Sequence, residues 1–136
     1  MKPTPDPGKA QKTILVVDDD PTTLALVSGL LGDQYNILTA SGGIEALQRS
    51  KDYKDAIDLL LTDFSMPLMT GIELATQITV ARPTIKVLLM SGFTGGMLVL
   101  NEGWHFLPKP FISSQLKTLI VNLISPDRKS KFSAAS

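Results

Sequence analysis

The chain has no cysteine and only one histidine, His105. Without thiols there can be no disulfide, no zinc–thiolate site and no cysteine nucleophile. Neither charge is in excess: 13 basic residues balance 13 acidic ones, so net charge points to no direct nucleic-acid or membrane partner. No apolar run is long enough to span a bilayer. The start, Met1-Lys2-Pro3-Thr4-Pro5-Asp6-Pro7-Gly8, has no signal-peptide core and reads as a flexible leader over residues 1–12. What is present is ordinary. With 136 residues, 43% of them apolar and 19% charged, the chain suits one globular domain with an adequate core.

The informative feature is a lone acid after a wholly apolar stretch, Leu59-Leu60-Leu61-Thr62-Asp63. Apolar residues without polar alternation predict a strand buried on both faces. An acid at its end lies at the carboxyl edge of a parallel sheet, where α/β proteins place their sites. The pattern repeats. Ile14-Leu15-Val16-Val17 is followed by Asp18-Asp19-Asp20, Val87-Leu88-Leu89-Met90 by Ser91-Gly92, and Trp104 to Leu107 leads to Lys109.

Between these runs lie helical patterns. Strands are predicted over 13–17, 35–40, 57–62, 85–90 and 104–107. Helices are predicted from Pro21 to a stop at Gly32-Asp33, after Ser41-Gly42-Gly43 with Ile44, Ala46 and Leu47, over about 71–81, and over 112–124. The glycine-rich segment from Ser91 to Phe106 leaves room for at most a short helix. Residues 126–136 form a polar tail. Strand and helix alternate five times, which predicts an α/β fold: a five-stranded parallel sheet with helices on both faces, in the flavodoxin-like order 2-1-3-4-5. In that order Asp18, Asp19 and Asp63 converge.

Three converging carboxylates repel one another unless a cation joins them. Hard oxygen donors open to water suit Mg2+, with Mn2+ an acceptable substitute. A divalent ion and Lys109 would cancel the three negative charges. With the hydroxyl of Ser91, the set suits phosphoryl transfer to a carboxylate, Asp63 being the nucleophile. Asp20 is read as the cap of the first helix. Asp33, Asp52, Asp55 and Asp58 are read as solvated or turn acids, and His105 as an ordinary strand residue. Gly92-Phe93-Thr94-Gly95-Gly96 lacks the lysine-hydroxyl ending of a P-loop and is read as a mobile loop.

Four segments together resemble the receiver domain of bacterial two-component response regulators: Ile14-Leu15-Val16-Val17-Asp18-Asp19-Asp20-Pro21, Leu61-Thr62-Asp63-Phe64-Ser65-Met66-Pro67, Leu89-Met90-Ser91-Gly92 and Phe106-Leu107-Pro108-Lys109-Pro110-Phe111. The resemblance covers residues 13–125. It implies that Asp63 accepts phosphate from a kinase's phosphohistidine. It implies that Asp18, Asp19, Asp63 and the Ser65 backbone carbonyl hold the metal. Ser91 and Lys109 would bind the phosphoryl group, Phe106 would pack inward on activation, and the Lys109–Pro110 bond would be cis. Ser65 and Phe93 would overhang the path of hydrolytic water. The implied protein is a cytoplasmic signalling phosphoacceptor rather than an enzyme. Its expected partners are a sensor histidine kinase or phosphotransfer protein and a downstream protein, and its expected state is a monomer or weak dimer. A stand-alone domain is the expectation. The alternatives are a receiver fragment of a hybrid histidine kinase, or a haloacid-dehalogenase-like magnesium phosphatase suggested by Asp18-Asp19-Asp20-Pro21-Thr22.

Overall fold

Strands β1 (Thr13–Val17) and β3 (Leu59–Asp63) lie side by side at the middle of the sheet, and their sequences explain why. Every residue of β1 and the first four of β3 are buried. Only a central strand, covered on both faces, requires that composition. The computed structural model describes residues 11–92 and 104–124. β2 (Asn36–Ala40), β4 (Lys86–Ser91) and β5 (Trp104–Pro108) complete a five-stranded sheet, all parallel, in the order β2-β1-β3-β4-β5. The anticipated order and fold class are thus observed. Among the described residues there are four helices: α1 (Pro21–Leu31), α2 (Gly43–Asp52), α3 (Gly71–Ala81) and α4 (Ser113–Ile124). No helix among these residues is long and apolar enough to cross a membrane.

The alternation of side chains along each strand divides the core into two layers. Ile14, Val16, Leu59, Leu61, Leu88 and Met90 face α1 and α4, packing on Val27, Leu31, Leu116 and Ile120. Leu15, Val17, Leu60, Val87 and Leu89 face α2 and α3, packing on Ala46, Leu74, Ala75 and Ile78. Each fully buried aliphatic side chain contributes about 1.5–3 kcal/mol. Truncating a central one such as Leu60 to alanine costs about 2–5 kcal/mol.

Local chemistry sets the ends. Asp20 caps α1, accepting the Thr22 N–H at 3.0 Å, with Pro21 following where its missing N–H costs nothing. Thr70 and Glu73 form a reciprocal capping box at the start of α3. Arg82 ends α3 and secures its neighbour. It donates to the Ser50 hydroxyl and to the carbonyls of Ser50, Tyr53 and Asp55 at 2.8–2.9 Å, so it closes the exposed carbonyl end of α2.

Six strand boundaries, on four of the strands, and the start of α4 differ from the sequence expectation by one or two residues. Tyr35 is held by the Leu31 carbonyl, so β2 begins at Asn36, and Ile85 is held by Arg82, so β4 begins at Lys86. Asp58 is not a solvated acid. Its carboxylate accepts the Thr13 N–H at 2.8 Å, and its backbone pairs with Thr13 and Lys86. The side chain takes the place of a ladder carbonyl, so β3 starts at Leu59, two residues later than expected. His105 lies within β5. Residues 1–10 of the expected leader, the polar tail and the segment between β4 and β5, where at most a short helix is expected, fall outside the described residues; Lys12, counted in the leader, is described, and its carbonyl accepts the Asn36 N–H at 2.8 Å.

Candidate functional site

The carboxyl ends of β1 and β3 bring the acids together. Asp18 follows β1 directly; its N–H donates to the Ala40 carbonyl at 3.2 Å, and its side chain is 1% exposed. One carboxylate oxygen accepts the Asp20 N–H at 2.9 Å. The other receives the Lys109 amine at 3.4 Å, and the same amine lies 3.3 Å from Asp63 Oδ1. One carboxylate oxygen each from Asp18, Asp19 and Asp63 lies within 4.8 Å of the others.

Burial pushes the Asp18 carboxyl above its ordinary 3.8. The Asp20 N–H and the Lys109 charge draw it back, and the Asp63 charge adds to the rise. Burial by itself would depress Lys109, but the two carboxylates outweigh it and hold its pKa above 10.5. The site is therefore three acids against one firmly protonated amine. A compact, under-neutralised set of hard oxygen donors fits a small divalent cation.

Comparison with known proteins agrees with this arrangement. The response regulator receiver domain family matches residues 14–121. The chain belongs to this family. A receiver domain protein from Clostridium thermocellum is similar in structure, with a TM-score of 0.76 and 30% identity over 86% of this chain and 97% of that one. The receiver domain of the hybrid histidine kinase CckA has a TM-score of 0.74 and 29% identity, over 82% and 98%. In sequence, the sensor kinase CckA of Brucella abortus is 30% identical over 115 residues, 82% of this chain but 12% of the kinase. A putative two-component response regulator of Arabidopsis thaliana is 32% identical over 121 residues, 87% of this chain and 20% of that protein. The chain spans only 12% and 20% of these two sequence relatives. It is a receiver domain of two-component signalling, and the matched family favours that reading over a phosphatase.

The other anticipated receiver residues are placed as follows. Ser91 ends β4, buried, one position beyond the Met90 that pairs with Asp63. Its carbonyl accepts the Lys109 N–H at 2.7 Å, which ties the lysine's backbone to the serine's strand. The Lys109–Pro110 peptide bond is cis. Phe106 lies half-buried on β5, paired with Leu89, against the core layer under α2 and α3. Ser65 is exposed in the loop after β3. Phe93 lies outside the described residues.

Sequence reasoning missed what holds that loop. The Phe64 N–H donates to the Met90 carbonyl at 2.7 Å, and the Phe64 carbonyl accepts the Gly71 N–H at 2.8 Å. A Cβ on Gly71 would meet the Asp63 carbonyl oxygen, so only glycine lets α3 start this close to the end of β3. The Thr70-x-x-Glu73 spacing was a readable signal for the helix start. Nothing in the sequence marks the approach of Gly71.

Proposed function

We propose that Asp63 is the phosphoacceptor of a phosphorelay receiver domain spanning residues 13–125, acting in the cytoplasm. The observation that carries this reading is the single Lys109 amine shared by Asp18 and Asp63 beside a third carboxylate. In the reaction an Asp63 oxygen attacks the phosphorus of a phosphohistidine on a sensor kinase or phosphotransfer protein. The new bond is the O–P bond of an acyl phosphate. The N–P bond breaks, and the imidazole leaves with its electron pair and takes up a proton. Asp18, Asp19, Asp63 and the Ser65 carbonyl would hold Mg2+, or Mn2+, which supplies charge neutralisation for the transferring oxygens. Lys109 stays protonated next to Asp63, ready to pair with a phosphoryl oxygen. The Ser91 hydroxyl reaches a second oxygen, and Phe106 moves into the space it leaves, which shifts the population of the partner-binding face. The domain itself catalyses its own phosphorylation and dephosphorylation and has no other substrate. Ser65 and Phe93 set water access to the acyl phosphate.

The test is labelling by acetyl phosphate. Wild type with Mg2+ should gain one base-labile phosphate, and chelation or Asp63→Asn should abolish it. Full labelling of Asp63→Asn would overturn the assignment.

A further inference from the structure

We propose that the contact between Met69 and Gly43 is the positioning element of the metal site: it holds the loop after β3, and with it the Ser65 carbonyl, against the acids. The proposal rests on the metal reading given under Proposed function.

The loop is pinned at its base, where Phe64 bonds both Met90 and Gly71. Its tip is a tight turn. The Met69 N–H donates to the Pro67 carbonyl at 2.8 Å across Leu68, whose φ is 72°. A three-residue turn of this hand is rare and strained. Leu68 is 91% exposed, so its own side chain has no packing that could hold the conformation. The turn must be held from its flanks. On one side Met66 is buried, its sulfur 4.0 Å from the Thr62 hydroxyl. On the other, Met69 rests on Gly43, the first residue of α2.

That seat accepts only glycine. A Cβ on Gly43 would lie 2.5 Å from the Met69 sulfur and 2.9 Å from both its Cγ and its Cβ. The sulfur could swing away, but the Met69 Cβ moves only with its backbone. The seat is itself fixed to the acids. Glu45 accepts the Ser41 N–H and hydroxyl at 2.7 and 2.8 Å, which holds the start of α2. The preceding Ala40 carbonyl receives the Asp18 N–H. A short rigid path therefore runs from Asp18 through Ala40 and Gly43 to Met69, and then through the strained turn to Ser65. It relates one ligand from β1 to another from the loop after β3. Groups that orient metal ligands in this way typically change affinity by about 10–100-fold when removed.

The test measures Mg2+ affinity by titration calorimetry, alongside urea unfolding in EDTA. Met69→Ala leaves the seat empty without a clash, and should raise the Mg2+ Kd about fivefold or more. Gly43→Ala should raise it about tenfold or more by pushing the loop. Met69→Ala added to Gly43→Ala removes two of the three overlapping atoms and should bring Kd back toward that of Met69→Ala alone. Ile72→Ala, a truncation in the same core layer, should lose stability and keep Kd within about twofold. A Met69→Ala protein that folds and binds Mg2+ as wild type does would overturn the proposal. So would an Ile72→Ala protein whose Kd rises as much as that of Met69→Ala. If Gly43→Ala does not fold, Met69→Ala still decides. Absence of Mg2+ binding by wild type would overturn the metal reading and this inference with it; unchanged variants with a binding wild type overturn this inference alone.

Discussion

Replacing Asp18 by asparagine should stabilise the protein without magnesium and leave it less stable than wild type with magnesium. The magnitudes follow from the site. At an effective dielectric of about 20, the Lys109 amine at 3.4 Å attracts the Asp18 carboxylate by roughly 5 kcal/mol. Asp63, at no more than 4.8 Å, repels it by roughly 3.5 kcal/mol or more. Asp19 is exposed, and solvent screens its added repulsion. Attraction and repulsion nearly cancel, which leaves desolvation of a carboxylate with 1% of its side chain exposed. Asparagine keeps an oxygen for the Asp20 N–H and removes the buried charge, a gain on the order of 1–2 kcal/mol. Magnesium reverses the ranking. Wild type at a hundredfold excess over Kd gains about 2.7 kcal/mol, and a variant lacking a ligand gains much less. Urea unfolding in EDTA and in excess Mg2+ measures both. The pH dependence has a definite sign. Because the folded Asp18 pKa lies above 3.8, the metal-free native state binds this proton more tightly than the unfolded chain. Its contribution to stability therefore falls as pH rises from about 3.8 through the raised value, and Asp18→Asn should lack that fall. An Asp18→Asn protein less stable than wild type in EDTA would refute the reasoning.

Arg82→Ala should cost about 2–4 kcal/mol in urea unfolding, since four charge-assisted bonds are lost and the carbonyl of buried Ser50 is left without its donor. Its acetyl phosphate labelling should persist, because α2 is clamped at the end remote from Asp63. Leu68→Gly should raise stability by about 0.5–1 kcal/mol in the same assay, the relieved left-handed strain exceeding the extra chain entropy of glycine. Ser65→Asn and Phe93→Glu should each speed acyl phosphate decay in Mg2+, Phe93→Glu more, by giving water an orienting group. Unchanged decay in both would show that these positions do not govern water access.

The candidate site residues were legible because buried parallel strands tolerate so little polarity. In Leu59-Leu60-Leu61-Thr62 there is no room for a charge, so the acid that follows marks the strand end. The same holds for Asp18 after Val17 and for Ser91 after Met90. Once the order 2-1-3-4-5 was inferred from alternation, convergence of those ends followed from topology alone. What escaped was of another kind. Asp58 looks like any loop acid, because its role depends on a backbone N–H 45 positions away. Arg82 sits before a proline and reads as a helix end; its four acceptors lie around the end of another helix. Gly43 and Met69 each have an adequate local explanation, a helix start and an apolar loop residue. Their contact exists only because the sheet order places the start of α2 next to the loop after β3. Sequence spacing thus shows which groups reach the site, since strand geometry aims them there. The supports that fix their separation are tertiary contacts between segments whose local patterns are already satisfied. The charge of the acids is written in the chain, while their separation depends on contacts, some made by residues that carry no charge, which appear only in the folded structure.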